Sequence, residues 1–325
     1  MIFSANQRIL ALIFLLLHSP SAASAAEPTS SIVESWKIWD SADPVSSTDL
    51  CRFRGQWICV LETDEGLQLI GSEDGKTWDQ LSTVASSNKH FPLRDPRLTV
   101  ATDGRIMLTA VAPKAPRGGY SKSWFSYDAV KWKDPVASAE DNYLVCNVFW
   151  HVGVAYNFQI GSICGNADFR IGASDDHGQS FRVKYQQTDM FRAGQGALVF
   201  SQDDGYCVMP LLGKGNKLRG VLGVSKAPFW QWKWTELPVA VQHPNAIRTK
   251  SGAMLVAAGL PDGQGKMQTT LCKLNAETPA LMPIARIPTS KSCFVGLVNY
   301  EGQVLLTYHT RSGDASAVHL AKVST

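Results

Sequence analysis

The chain has 325 residues, with 31 basic and 28 acidic side chains and a formal net charge of +3. No run of lysines and arginines of the kind that binds nucleic acid is present, so we expect no nucleic-acid partner. The seven cysteines include no C-x-x-C pair, and no metal-ligand spacing stands out. We therefore predict neither a metal nor another cofactor.

Residues 1–26 have the layout of a secretory signal peptide. Arg8 is their only charged residue, residues 9–17 are apolar, and the small residues at 23–26 offer a cleavage site. The apolar run is too short to span a bilayer well, and no later segment is long and apolar enough to do so. We expect residues 27–325 to be a soluble chain that is secreted or periplasmic, with no membrane span.

A recurring β-hairpin is the most informative pattern in the remaining chain. In each copy an apolar strand runs into a turn that contains glycine, and a second strand follows. Glycine supplies the positive φ that tight hairpin turns need. The six glycines are spaced by 49, 49, 52, 47 and 50 residues, at Gly55, Gly104, Gly153, Gly205, Gly252 and Gly302.

A third, short aliphatic strand follows each hairpin, and in four copies it runs into a second turn at 72–78, 126–132, 174–181 or 225–232. Four strands in a unit of about fifty residues are typical of a β-propeller. A sandwich would not require such even spacing, and no stretch keeps a helical apolar period. We predict an all-β fold, a six-bladed propeller of four-stranded blades that forms a single domain over 27–325.

The cysteines allow more than one arrangement. An exported chain can form disulfides, and Cys146 and Cys164 flank one hairpin, which makes them a possible pair. The odd number leaves at least one thiol over. For most of the seven we expect buried single cysteines on strands.

Two of the second turns resemble the Asp-box, or BNR repeat, of the sialidase superfamily. SEDGKTW and SDDHGQSF match its pattern of Ser-x-Asp, an optional residue, Gly-x-Thr/Ser and an aromatic residue. The resemblance implies that these turns are structural and lie on the face opposite the active site. The aspartates can accept backbone N–H bonds and the aromatic residues can pack between strands. The box residues are Ser72, Asp74, Gly75 and Trp78, and Ser174, Asp176, Gly178 and Phe181.

The hairpin order predicts which residues surround the opposite end of the propeller. If the glycine turns lie at one end, first strands begin and second strands finish at the other end, which is the default ligand site. Strand starts place there Asp49, Arg94, Asp95, residues 192–195, residues 243–245 and residues 291–294. Strand ends add Glu62, Asp64, Glu65, Asp262, Tyr308 and His309.

Sialidase chemistry implies groups that this chain lacks. A sialidase uses a tyrosine nucleophile at the start of the last blade, where this chain has Phe294, and a glutamate at the start of the fourth, where it has Gln195. Asp49 stands where sialidases place an arginine that binds the substrate carboxylate. Of the expected catalytic groups only the acid/base survives, and Asp64 is the best choice for it.

Other residues at this end suggest binding. Arg94 and Asp95 either bind a carboxylate or sugar hydroxyl or brace neighbouring blades. His243 and Asn245 form a similar, weaker signal, and Gln195 and Tyr308 complete the predicted substrate-binding residues. A zinc site formed by His90, His243 and His309 is conceivable, although no motif supports it.

These observations predict a propeller that acts on or recognises a glycan or glycoconjugate. One possibility is a glycoside hydrolase of sialidase type, with Asp64 or Glu65 as acid/base and Asp95 or Glu62 as the partner carboxylate. Another is a propeller without catalytic activity that binds carbohydrate or protein. The sequence leaves these possibilities open.

Overall fold

The computed structural model describes residues 32–86, 90–113, 119–161, 168–188, 193–213, 215, 217–289 and 292–324. These residues form 24 β-strands in six antiparallel sheets of four strands each. No helix within these ranges could cross a membrane. The predicted all-β propeller of six four-stranded blades is confirmed.

Each of the first five blades is a meander, listed from its inner to its outer strand. Blade one contains β2 (Thr48–Phe53), β3 (Gln56–Glu62), β4 (Leu67–Ser72) and β5 (Asp79–Val84). Blade two contains β6 (Arg94–Val100), β7 (Ile106–Pro113), β8 (Gly119–Ser126) and β9 (Val136–Ala137). Blade three contains β10 (Tyr143–His151), β11 (Val154–Gly161), β12 (Phe169–Ser174) and β13 (Arg182–Gln187). Blade four contains β14 (Ala197–Phe200), β15 (Asp204–Leu212), β16 (Leu218–Lys226) and β17 (Lys233–Leu237). Blade five contains β18 (Gln242–Arg248), β19 (Met254–Pro261), β20 (Met267–Asn275) and β21 (Ala280–Arg286).

Blade six is assembled from both ends of the described chain. Its inner three strands are β22 (Gly296–Tyr300), β23 (Gln303–Ser312) and β24 (Ala315–Val323). Its outer strand is β1 (Ile32–Ser41), which pairs with β24 from Ile32↔Val323 to Ser41↔Ser316. The prediction assigned each blade to one consecutive repeat, and for this blade it is wrong. The inner strands contact one another in cyclic order, and β2 lies against β22, so this blade closes the ring.

The hydrophobic core is divided among the junctions between blades. Six clusters of buried apolar residues in the described chain each join two neighbouring blades. For example, Trp57 and Ile70 of blade one pack with Leu305 and Leu320 of blade six. Both faces of a blade are therefore buried, which explains why the second strands, such as ICVL of β3, read as apolar runs rather than as alternating patterns.

The strand register separates two faces of the propeller. Trp57 pairs with Ser72, which places the Gly55 turn beside the turn at 72–78. Thr48 pairs with Leu61, which places the start of β2 beside the end of β3. We call the first end the turn face and the second end, where inner strands begin, the mouth.

Five of the six predicted turn glycines have φ between 79° and 88°. Gly205 is different, because it lies inside β15. A Cβ there would come within 3.1–3.2 Å of Phe200, Phe229 and Trp232. In blade four the glycine therefore makes room for aromatic packing instead of forming the turn.

The turn at 72–78 is held by side-chain bonds to its own backbone. Asp74 Oδ1 accepts the N–H groups of Lys76 and Thr77, each at 2.8 Å, and Ser72 Oγ accepts that of Gly75. Those N–H donors, that of Thr77 first, lower the pKa of Asp74 to about 2. The ring of Trp78 is buried at the junction of blades six and one, and its Nε1 donates to Gly75 O at 3.0 Å.

The other second turns keep this arrangement to different degrees. Asp176 accepts the N–H groups of Gln179 and Ser180, and Asp128 accepts those of Val130 and Lys131. The corresponding turn of blade four, at 225–232, contains no aspartate, yet Trp232 Nε1 still donates to Phe229 O at 3.1 Å. Both turns of the best-matching pair lie on the turn face, away from the mouth.

Candidate functional site

The mouth gathers polar side chains from neighbouring blades. Glu62, at the end of β3, is 4 % exposed. Its Oε1 accepts Arg94 Nη1 at 3.0 Å, and its Oε2 accepts the N–H of Asp95 at 2.8 Å and the hydroxyl of Ser47 at 3.1 Å. Glu62 thus ties the start of blade two to blade one, and both of its oxygens are occupied.

Arg94 connects Glu62 to a second carboxylate. Its Nη2 lies 3.4 Å from Asp64 Oδ1, and the side chain of Asp64 is 65 % exposed. One guanidinium therefore bridges a buried and an exposed carboxylate. Burial raises the pKa of Glu62, and the neighbouring Asp95 carboxylate raises it further, against the opposing bonds from the Asp95 N–H and Arg94.

The backbone is strained at two starts of inner strands. Asp95 has φ 52° directly before Pro96, and His243 has φ 48° directly before Pro244. Residues other than glycine rarely adopt a positive φ, and a proline at the next position favours an extended backbone instead. A register shift accompanies each site, in β6 and in β18. Blades two and five stand opposite each other in the ring, so the same distortion occurs on both sides of the mouth. Such strain is found most often at functional sites.

Asp95, at the start of blade two, and Gln195, at the start of blade four, are hydrogen-bonded to each other at the mouth. Gln195 Nε2 donates to Asp95 Oδ2 at 2.9 Å. The other amide atom, Gln195 Oε1, is buried and has no hydrogen-bond partner in the described chain. Buried acceptors without a partner are rare in proteins, and they call for an explanation such as a missing ligand.

Phe294 lies at the mouth end of the propeller axis, between two polar side chains. Arg97 Cζ is 4.2 Å from its ring centroid, and the His243 ring packs edge-on against it at 4.5 Å. Arg97 is 3 % exposed, and its Nη1 donates to Pro96 O. The cation–π contact joins blades two and six at the centre of the propeller.

Asp49 supports this region from below. It is 5 % exposed, and its Oδ2 accepts the N–H of Leu98 at 2.8 Å, which links blade one to blade two. Burial raises the pKa of Asp49 to about 6, although the charge of Arg97 and the N–H groups of Leu98 and Leu50 act in the opposite direction. The carboxyl therefore titrates near neutral pH although no ligand can reach it directly.

Asn245 has a structural environment. It is buried, its Nδ2 donates to Val295 O at 3.0 Å, and its Oδ1 accepts the N–H of Ala246 at 2.9 Å. Asn147 of blade three also donates to that Oδ1, at 3.3 Å. The two amides join blades three, five and six across the axis, so the predicted substrate-binding atoms of Asn245 are occupied by the protein.

The structure places the remaining predicted residues outside this group. The ring of Tyr308 stacks on His319, and its hydroxyl bonds Ser35 of the outer strand β1, so it points away from the mouth. Glu65 is exposed, and Asp262 Oδ1 accepts N–H bonds within its own loop. Arg192, Lys291 and Cys164 lie outside the described residues.

Metal binding has no support among the residues that are described. No group of three histidine, cysteine or acidic side chains in them could hold an ion, so His90, His243 and His309 are not brought together as a zinc site. The six described cysteines are buried on or beside strands, as expected for single thiols. Burial raises the pKa of Cys59 and of Cys146 far above its usual range, which keeps both protonated.

The sequence reasoning missed three residues of this site: Ser47, Arg97 and Asn147. Arg97 lies two residues after the strained Asp95. It was missed because a charged residue in a strand is usually exposed. Asn147 carried a usable signal, since it is a lone polar residue inside the apolar run YLVCNVFW. Buried polar residues of this kind are normally hydrogen-bonded to one another.

No protein-family model matches the sequence, and no curated protein sequence matches it. Solved structures do match. A protein of unknown function from Dyadobacter fermentans shares 16 % identity at a TM-score of 0.73, over 92 % of this chain and 100 % of that one. The α-L-arabinofuranosidase Arb93A of Fusarium graminearum shares 12 % identity at a TM-score of 0.66, over 89 % and 97 %.

A Trypanosoma rangeli sialidase mutant with trans-sialidase activity shares 10 % identity at a TM-score of 0.68. That match covers 90 % of this chain and 59 % of the sialidase chain, so this chain spans little more than half the length of that protein. At these identities the likeness concerns the fold and not the activity. The chain has the sialidase-like six-bladed propeller fold.

Proposed function

We propose that the mouth binds a neutral carbohydrate and does not perform sialidase chemistry. The observation that carries this proposal is Gln195 Oε1, a buried acceptor without a partner in the described chain. Gln195 is hydrogen-bonded to Asp95, and the backbone of Asp95 is strained at the start of β6. A ligand hydroxyl that donates to this oxygen removes the cost of leaving it unpaired.

Sugar hydroxyls suit the groups at this position. Each hydroxyl both donates and accepts, and the mouth offers the amide of Gln195 and the half-buried carboxylate of Asp95 close together. The Gln195 amide is oriented by its bond to Asp95, so its free oxygen has a fixed direction. Fixed polar groups of this kind give a binding site its specificity.

The arginines favour a neutral sugar over an acidic one. A sugar carboxylate is best bound by a guanidinium that presents two free N–H groups. Arg94 already engages Glu62 and Asp64, and Arg97 is buried against Phe294. Among the described mouth residues, neither arginine is left to bind an acidic sugar.

Two replacements argue against sialidase catalysis. Phe294 has no hydroxyl with which to attack an anomeric carbon, and the amide of Gln195 cannot accept a proton as a carboxylate does. The contacts of Phe294 with Arg97 and of Gln195 with Asp95 support this part of the proposal, because neither residue supplies the group that sialidase chemistry needs.

The test is binding on a glycan array, followed by calorimetry with the neutral glycans that bind. We expect Gln195→Leu to weaken binding about tenfold, since one hydrogen bond is worth about 1.5 kcal/mol. Gln303→Leu, at an exposed position on the turn face, should leave affinity unchanged. Preferential binding of sialosides, or equal affinity of the Gln195→Leu variant, would contradict the proposal.

A second candidate is hydrolysis of a neutral glycoside by paired carboxylates. It is favoured by the neighbouring carboxyl groups of Glu62 and Asp95, because glycoside hydrolysis uses a pair of carboxyl groups and burial, with the nearby Asp95 carboxylate, raises the pKa of Glu62. Product release from a panel of neutral aryl glycosides tests it. Activity should be lost in Asp95→Asn and, if the exposed Asp64 supplies the proton, in Asp64→Asn as well. No release from any substrate, with binding retained, leaves the binding function alone.

Export belongs to the same proposal, because free and conjugated glycans are abundant outside cells. We propose that residues 1–26 are a signal peptide that is removed. Expression of the full chain in a bacterial host, with N-terminal sequencing of the periplasmic fraction, should show a start near residue 27. Retention of the intact N-terminus in the cytoplasm would contradict this.

A further inference from the structure

The second turn of blade four, at 225–232, lacks a carboxylate that the other three second turns contain. Those turns have an aspartate two residues after their first serine, at Asp74, Asp128 and Asp176, whereas blade four has Ala227 there. The turn lies on the turn face, because the end of β16 pairs with the start of β15 at Asp204↔Lys226. We propose that it binds the carboxylate of a small organic acid with an apolar body. This site is separate from the carbohydrate site proposed at the mouth.

In the three turns that have the aspartate, its Oδ1 accepts two adjacent backbone N–H groups at 2.8–3.0 Å. The two donors always follow a residue with positive φ, which is Gly75 at 75°, Ala129 at 59° or Gly178 at 81°. Consecutive N–H groups that converge on one oxygen form a site for an anion. The fold therefore builds the same carboxylate-binding turn three times and fills it with its own side chain.

Blade four keeps the two donors without their acceptor. Phe229 has φ 65°, and Trp232 Nε1 donates to Phe229 O at 3.1 Å, as Trp78 does to its own turn in blade one. The two residues that follow Phe229 are Trp230 and Gln231, which lie outside the strands. No hydrogen bond within the described chain uses the backbone N–H of either residue. A carboxylate from outside the chain can accept both.

A pocket of about 610 Å³ opens at this turn, and both donor residues line it. Val224, Pro228 and Trp230, which is 60 % exposed, give it apolar surface. Small-molecule sites have volumes of about 300–1,000 Å³ and combine mostly apolar walls with a few fixed polar groups. The pocket therefore suits a ligand that joins an apolar body to one polar group.

The charges around the pocket favour an anion. Its lining includes Lys226 and Lys233 and no acidic residue. Lys226 Nζ pairs with Asp204 Oδ1 at 2.6 Å, but no ion pair in the described part of the chain involves Lys233. A positive pocket beside two free N–H groups attracts negative charge. A carboxylate is the anion best supported, because it is the group that the equivalent donors hold in the three other turns.

The test uses phenylacetate as the probe and the full chain labelled with ¹⁵N-tryptophan. The backbone amide signal of Trp230 is assigned by its absence from the spectrum of Trp230→Phe. We expect that signal to shift saturably as phenylacetate is added, because the N–H gains an acceptor. Acetate, which lacks the ring, and 2-phenylethanol, which lacks the carboxylate, should each bind about tenfold more weakly.

Matched variants locate the site. Ala227→Asp restores the missing carboxylate within the chain and should abolish phenylacetate binding, with circular dichroism to confirm that the variant is folded. Lys233→Gln should weaken binding about threefold. Arg182→Gln, at the first position of the corresponding outer strand beside the filled turn of blade three, should leave it unchanged.

Two results overturn the proposal. One is a Trp230 amide signal that does not respond to phenylacetate, and the other is an equal response in the folded Ala227→Asp variant. Equal affinity for 2-phenylethanol would show that the ring binds without the carboxylate, which also refutes it. Because Gln195→Leu changes only the mouth, failure of the carbohydrate proposal does not affect the outcome here.

Discussion

Replacing Asp49 by asparagine tests the electrostatics beneath the mouth. Asp49 is buried, and two effects on its carboxyl compete: burial favours the neutral acid, and the charge of Arg97 favours the carboxylate. Burial dominates and raises the pKa from 3.8 to about 6. Asparagine keeps one oxygen as acceptor for the Leu98 N–H but cannot titrate, so comparison of the two proteins isolates the carboxyl.

The pH dependence of the free energy of unfolding follows from the difference between the pKa of Asp49 in the folded and in the unfolded chain. Below pH 3.8 the carboxyl is protonated in both the folded and the unfolded chain, and it adds no pH dependence. As the pH rises to about 6, the unfolded chain releases the proton first, so the free energy of unfolding falls. Each pKa unit corresponds to about 1.4 kcal/mol, and the full loss is therefore about 3 kcal/mol. Above that pH the loss is constant.

Urea unfolding of the wild type and of Asp49→Asn, measured from pH 3.5 to 7.5, checks this. The free energy of unfolding of the wild type minus that of the variant should fall by about 3 kcal/mol across that interval. A constant offset from the asparagine itself does not matter, because only the slope is compared. A difference that stays flat with pH would show that the charge of Arg97 offsets burial, and one that increases would show that it outweighs burial; either result would refute the reasoning.

Three further predictions concern the fold. The free energy of unfolding of the wild type minus that of Asp74→Asn should rise with pH between about 2 and 3.8, because backbone N–H groups lower the pKa of the Asp74 carboxyl; a flat profile in the same urea assay would contradict this. Trp78→Ala should lower the free energy of unfolding by about 3–5 kcal/mol and Trp230→Ala, at a 60 % exposed position, by less than about 0.5 kcal/mol; similar urea midpoints would refute the packing role of Trp78. Gly296→Ala should cost about 2 kcal/mol or more, because its Cβ would meet the backbone atom Leu50 N at 2.5 Å, whereas at Gly71 the contacts are with the movable end of the Leu81 side chain; equal losses in thermal melts would count against this.

The repeat was readable from the sequence because the turns impose it. Five turn glycines adopt the positive φ that was predicted for them, and their spacing reports one blade after another. The closure of blade six was not readable. Strand β1 stands alone before the first hairpin, and nothing in IVESWKIWDS indicates that its partner is β24. Pairing between the ends of a chain leaves no local pattern.

The site was predictable only to the level of strand ends. Position along the strand placed both Tyr308 and Glu62 at the mouth, but side chains alternate between faces, and Tyr308 turns towards β1. Which carboxylate is buried also depends on the neighbouring blade, since Arg94 and the Asp95 N–H reach Glu62 from blade two. Such contacts depend on the β-bulge at the start of β6, which no spacing in the sequence predicts.

The shared sixth blade also sets the orientation of the molecule on any support. Ile32 pairs with Val323, so the first and the last described strands both reach the turn face at the outer rim of one blade. A tag, linker or carrier joined to either end of the described strands is therefore attached on the side away from the mouth. Coupled to a sensor surface through either end, the propeller should present its mouth to the solution and its turn face to the surface. An array read in that geometry tests the proposed carbohydrate site at the mouth.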